Sequence, residues 1–238
     1  MTEKFINKKI ADITDFIYKN VDNERLLQKF LCENIFLKKL YSEMDKEYYN
    51  IIKPIVESDI FKTTRIHLHH DNVSTYTHML HVSLIAYQDA KKKKLDYISA
   101  AIGGLLHDFY LYDWHVPQYK DPGLFNKHLF THPVVAAKNA KKYFPNLINK
   151  KIKNIIIAHT WHSYILEKML KPSFNLYNHV PHSKEAWIVA KADIKASMYS
   201  FQTPRMFLSS LGMDKYIDRV CYFLANNKTL NAVISVFH

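Results

Sequence analysis

Apolar residues recur at spacings of three and four along most of the chain, the signature of helices with one buried face. Between residues 5 and 62 the repeat shows in Ile10, Ile13 and Ile17 and again in Leu27, Phe30 and Leu31, broken by polar connections, and predicts helices without evident chemistry. A polar, histidine-bearing loop from His67 to Asn72 follows, and Ser74 is placed to cap a helix running through about Lys92. Asp96 is placed to cap the next helix, which is almost wholly apolar from Ile98 to Leu106 and should be central. Tyr110 to Phe130 reads as a loop of about twenty residues, long enough in a compact domain to be suspected of function. Thr131 is expected to cap a helix to about Phe144. Pro145 and Asn146 punctuate, a helix spans about Leu147 to His159, and a second long connection spans Ser163 to His182. Ser183 caps a helix carrying Asp193, and one or two helices after Pro204 close the chain. The pattern predicts an all-α protein without internal repeats: an N-terminal helical extension (1–62), a helical bundle (63–203) and closing helices (204–238), packed as one globular unit.

Composition narrows the chemistry. The chain has 238 residues, of which 48% are hydrophobic and 23% charged, ordinary values for a folded protein. Its only glycines are Gly103, Gly104, Gly123 and Gly212, so neither a dinucleotide fingerprint nor a phosphate-cradling Gly-x-x-x-x-Gly-Lys loop can be written. With eight prolines, the chain is also too poor in turn residues for a sandwich or barrel. Net charge is +11, which raises nucleotides, nucleic acid or an anionic surface as partners. Only Arg25, Arg65, Arg205 and Arg219 are arginine, however, and the lysines are scattered, with the longest run, Lys91 to Lys94, at a helix end where cations favour the dipole. A solvated lysine surface is the expected reading. Cys32 and Cys221 are too few for a disulfide framework or thiolate zinc site, which suits a reducing compartment. The start, MTEKFINKKI, lacks an apolar signal core, and no stretch reaches the ~18 apolar residues of a membrane span, so a cytoplasmic protein without membrane partners is expected.

The fourteen histidines change the picture by their placement. His78 shares its helix face with Val82 and Ile85. His107 shares one with Ala100, Gly103 and Gly104, whose small side chains would let another helix approach closely, and His159 continues the stripe of Ile152, Ile155 and Ile156. Asp193 lies with Ala186, Val189, Ala190 and Ser197, and His132 opens a helix whose inner face should carry Val135, Ala136 and Tyr143. Any one inward histidine reads as a satisfied core residue. Five helices each aiming such a group at an apolar core, with His107 and Asp108 adjacent, point to a metal, because buried imidazole and carboxylate must be paired, neutral or metal-bound. The donor types suit manganese or iron, with zinc or magnesium as further candidates.

The ordered set His78, His107-Asp108, His132, His159 and Asp193 resembles the HD-domain metal-dependent phosphohydrolase superfamily, whose hallmark is His, His-Asp and Asp on helices. HHDNVSTYTH, GGLLHDFYLYDW and FTHPVVAAKNAKKYF are similar to segments of small bacterial HD-domain proteins without an assigned substrate. The resemblance covers roughly residues 65 to 200. It implies an HD-domain helical bundle in which His78, His107, Asp108 and Asp193 hold one divalent ion. In the binuclear branch His132 and His159 would hold a second, with Asp108 bridging. Two features depart from the pattern. Thr160 stands where many binuclear members have another histidine, with His162 nearby, and Phe109 to Asp113 replaces a Gly-Lys, so a lysine role there is not transferred.

The resemblance further implies hydrolysis of a phosphate ester or anhydride by metal-activated water, with His107 and Asp108 at the catalytic centre. The expected substrate is a small phosphorylated compound, a nucleotide or a nucleotide-derived signal; its binding residues are not assigned. Asp113, His115, Lys127 and His128 in the long loop are candidates for leaving-group protonation and substrate contacts. His69 and His70 either reach the pocket or belong to a solvated loop. Trp114, Tyr110 and Tyr112 either stack a base or fill the core. Lys195, about 200 degrees around the helix from Asp193, is expected to point away. The rival reading is a basic RNA- or DNA-binding or regulatory protein with a structural or vestigial metal site, against which the filled ligand set weighs. A di-iron oxygenase of the same fold is the weaker third reading.

Overall fold

A computed structural model describes residues 1–70, 73–115, 127–163 and 177–200. Five helices open the chain: α1 (Glu3–Asn20), α2 (Glu24–Cys32), α3 (Asn34–Glu43), α4 (Lys46–Val56) and the single turn α5 (Asp59–Lys62), followed by a 3-10 turn at Thr63–Ile66. The bundle then comprises α6 (Thr75–Lys92), α7 (Tyr97–Leu106), α8 (Lys127–Tyr143), α9 (Lys150–Ala158) and α10 (Lys184–Ser200). The fold is all-α apart from one small hairpin, and among the described residues no helix is long and apolar enough to cross a membrane.

Local chemistry sets most boundaries. Ser74 accepts from the Thr77 amide (3.2 Å), Asp96 from Ser99 (3.0 Å), Asn149 from Ile152 (2.9 Å) and Ser183 from Ala186 (3.2 Å), each satisfying an amide that has no partner within its own helix. Four expectations are corrected. The polar segment from His67 contains the hairpin β1 (Leu68–His70) and β2 (Val73–Ser74), with Leu68 opposite Ser74 and His70 opposite Val73. Helix α8 begins at Lys127, not after Thr131: Pro133 sits within it, at the loss of one backbone hydrogen bond. Helix α9 begins at Lys150 because Asn149 caps it, while Leu147 is held in a turn by the hydrogen bond its amide donates to the Phe144 carbonyl (3.0 Å). Tyr143, expected inside, is 38% exposed, whereas Ala136, Ala137 and Ala140 carry the inner face of α8. The closing helices expected after Pro204 lie outside the described residues.

Helix α7 packs along α6 and also meets α9 and α10. Glycine permits this closeness. A Cβ at Gly103 would lie 2.4 Å from Cγ2 of Ile155 on α9, and one at Gly104 would lie 3.1 Å from the Ser83 backbone of α6. One apolar core runs without a break from Ile6, Ile17 and Leu37 of the opening helices through Met79 and Leu105 to Ile156. A buried polar network also joins the opening helices to the bundle. Arg65, 1% exposed, pairs with Glu33 at the α2–α3 junction and donates to Ser74 Oγ (2.9 Å) and the Phe30 carbonyl (2.8 Å). Glu33 accepts from the amide (2.8 Å) and hydroxyl (3.0 Å) of Ser74, the cap of α6.

Two outcomes follow. Gly103→Ala should lose about 1–2 kcal/mol in urea unfolding, overpacking against the stiff Ile155 outweighing the gain in helix propensity; combined with Ile155→Ala, the loss should fall short of the sum of the single changes. Arg65→Met should cost about 3–5 kcal/mol by leaving Glu33 buried without its partner, and the further change Glu33→Met should recover part of it.

Candidate metal centre

Each inward polar group arrives on a different element, and the structure brings all six named from the sequence into one cage. His78 comes from α6, His107 caps the end of α7 with Asp108 just after it, His132 lies on α8, His159 caps α9 and Asp193 lies on α10. Asp108 is central and 2% exposed. Its Oδ2 faces His107 Nε2 (3.3 Å) and His78 Nε2 (3.8 Å); its Oδ1 faces His132 Nε2 (3.2 Å) and His159 Nε2 (3.5 Å). Asp193 Oδ1 lies 2.9 Å from His78 Nε2 and 3.6 Å from His107 Nε2. The histidines also approach in pairs, His107 to His78 at 3.3 Å and His132 to His159 at 2.9 Å between Nε2 atoms.

Three imidazoles are oriented from behind. The Nδ1 atoms of His107, His132 and His159 lie 2.8, 2.8 and 2.7 Å from the carbonyl oxygens of Gly104, His128 and Ile156. A carbonyl only accepts, so each Nδ1 carries a proton, and each ring in its neutral form turns a bare Nε2 lone pair inward, an assignment made from the hydrogen-bond network. Those lone pairs converge on carboxylate oxygens, and Asp108 Oδ1 is buried without a hydrogen-bond donor among the described residues. Acceptors facing acceptors at about 3 Å repel unless protons or a cation lie between them.

Electrostatics agree with a cation. Burial would raise Asp108, but His107 and His132 outweigh it and hold the carboxyl well below the usual range. Burial would likewise raise Asp193, and His107 and His78 hold it well below. Burial would lower His107, but Asp108 and Asp193 push it up to about 10. Burial lowers His159 and so favours its neutral, ligand form. Three sets of donors lie close enough for one ion each: His78, His107 and Asp193; His107, Asp108 and His159; and His69, His78 and Asp108. Imidazole and carboxylate in these numbers fit a divalent transition ion.

The residues around the cage divide differently. His69 reaches it, with its ring stacked on His78 (centroids 3.8 Å) and Nδ1 3.4 Å from Asp108 Oδ2. Trp114, His128 and His132 form a stack, with centroids 5.2 and 4.7 Å apart, because the early start of α8 puts His128 one turn before His132. Burial pushes His128 down to about 2. Tyr112 lies 3.0 Å from His128 Nδ1, whereas Tyr110 and Phe109 are fully buried, Phe109 against Phe61 and Phe144. Asp113 and His115 pair with each other (2.9 Å) nearer the surface. His162 and Lys195 are exposed, and the buried Thr160 hydroxyl has no hydrogen-bond partner among the described residues. The side chains of His70 and Lys127 lie outside the description. The pairing of Glu33 with Arg65 has no local signature in the sequence beyond a single arginine beside the histidine loop.

No curated protein and no solved structure matches the chain. The HD domain family matches residues 75–198, more than half of the chain. That match opens on the first residue of α6 and ends within α10, taking in every helix that feeds the cage, and the chain therefore belongs to the HD domain family.

Proposed function

We propose that the protein is a metal-dependent phosphohydrolase that cleaves a phosphate ester or anhydride, with a nucleotide or nucleotide-derived signal as substrate. The observation that carries the reading is the division of Asp108: one oxygen faces His78 and His107, the other His132 and His159. On this reading His78, His107, Asp108 and Asp193 hold a first ion, and Asp108, His132 and His159 a second, with His107 and Asp108 at the catalytic centre. Manganese or iron is favoured over zinc or magnesium. A divalent ion there supplies positive charge that lowers the pKa of a water and offsets charge on phosphoryl oxygens. The chain's own part is to bury that centre and fix the orientation of its rings. Backbone carbonyls of Gly104, His128 and Ile156 fix three rings by their Nδ1 protons. The Trp114–His128 pair stacks behind His132, and neutral His128 adds no charge against the ion. Residues 63–203 are taken as the domain that carries the activity, with 1–62 as an extension fastened by Arg65, and the reducing cytoplasm as its setting.

One feature favours the second reading, a partner of nucleic-acid type. A groove of about 850 Å³ between α8 and α9 is lined by Lys138, Lys141, Lys142, Lys150 and Lys153 over Val134 and Ile157. Binding there would weaken steeply with salt, whereas turnover in the buried cage would not.

Elemental analysis of protein purified without chelator should find one or two equivalents of transition metal. A panel of phosphate esters and anhydrides with added manganese should show turnover that His107→Ala and Asp108→Ala each reduce to background. Protein without metal and without turnover, binding RNA in a salt-sensitive manner, would overturn the reading. A second expectation concerns pH. His107, held up at about 10 by Asp108 and Asp193 in the metal-free protein, is protonated at neutral pH, so an incoming ion must displace that proton. Apparent manganese affinity, measured by chelator competition between about pH 6.5 and 8.5, should therefore rise up to about tenfold per unit for each proton displaced. An affinity flat across that interval would contradict it.

A further inference from the structure

We propose that His69 is an additional ligand of the first ion, joining His78, His107, Asp108 and Asp193 through its Nδ1 and favouring a six-coordinate ion such as manganese or iron over zinc. The inference rests on the metal-centre reading above, but the residue does not belong to the matched family segment, which begins at residue 75.

The hairpin that carries His69 is held in place at several points. Thr75 donates its amide to the His67 carbonyl (2.9 Å), β1 pairs with β2, and Trp114 Nε1 donates to the carbonyl of His69 itself (3.2 Å). The ring is therefore delivered by backbone contacts and lies flat on His78, the two planes 20° apart. Its Nδ1 lies 3.4 Å from Asp108 Oδ2, the same oxygen that faces His78 and His107. It thus falls on the side of Asp108 that faces His78 and His107, not the side of His132 and His159. Ligands about 2.0–2.2 Å from a shared ion lie about 3 Å from one another, close to the separation seen.

Tyr110 is the competing partner, its hydroxyl 3.2 Å from His69 Nδ1. That hydroxyl also lies 3.5 Å from Thr75 Oγ1, so its proton has a second acceptor and the Nδ1 lone pair can turn to the ion. The donor count then has a chemical consequence. Four donors suffice for tetrahedral zinc, whereas five from the chain with one position left over suit an ion that prefers six.

The test compares the full chain with His69→Ala and His69→Phe, the second keeping an aromatic ring on His78 without offering a nitrogen. In the cobalt-loaded protein, loss of a ligand should lower the coordination number and strengthen the visible absorption bands in both variants. Manganese affinity should fall at least about tenfold in both, with zinc affinity falling less. Unchanged spectra and affinities in the variants, with wild-type protein binding metal, would overturn the role of His69 alone. Recovery of wild-type behaviour by the phenylalanine variant would also overturn it, leaving only ring stacking. Wild-type protein that takes up neither cobalt nor manganese would overturn the metal-centre reading itself.

Discussion

A carboxylate buried among imidazole nitrogens whose lone pairs face it is the arrangement on which the rest of the structure turns. Asp108 is 2% exposed and, among the described residues, is paired with histidines rather than with a lysine or arginine; its oxygens look onto Nε2 atoms of rings whose Nδ1 atoms donate to backbone carbonyls. Such a cluster is tolerable when positive charge sits within it, as protons on some rings or as a metal ion. Both carboxyls stay ionised while His159 resists protonation, so the cage is biased toward the metal.

Everything around the cage limits how far its members can relax. Small residues let α7 come close to both α6 and α9, which places His107 between His78 and His159 rather than beside one of them. The carbonyl partners of the three rings belong to the same helices as the rings, so local helix geometry sets the tautomer without help from distant elements. The start of α6 is different. Its cap, Ser74, is tied to Glu33 and Arg65, and His78 lies one turn further along. Loosening the opening helices would therefore act on the start of α6 and on His78 within it.

The parts legible in the sequence were those with a period or a cap. Ser74, Asp96 and Ser183 announced their helices, and the inward faces at His78, His107, His159 and Asp193 followed from spacing alone. Where the rule is local but ambiguous, reading failed. Thr131-His-Pro looks like a helix start because proline suits a first turn, yet the helix was already running; Tyr143 shares the face of His132 by spacing but is the last residue of α8, where it is 38% exposed. Pairing across sequence was invisible. Nothing local joins Glu33 to Arg65, and His69, on a short strand, has no helical period to aim it.

The two sides of Asp108 are not equivalent, and the difference is built into which elements reach each side. Oδ2 looks toward α6, α7, α10 and the hairpin, whose residues His78, His107, Asp193 and His69 crowd around it. Oδ1 looks toward α8 and α9, which offer His132 and His159 and, at the next position, the hydroxyl of Thr160 in place of a third imidazole. A neutral hydroxyl is a far weaker donor than imidazole to a transition ion. An ion on the first side would thus face more of the chain's donors than one on the second. A second ion would depend more on groups the chain does not supply.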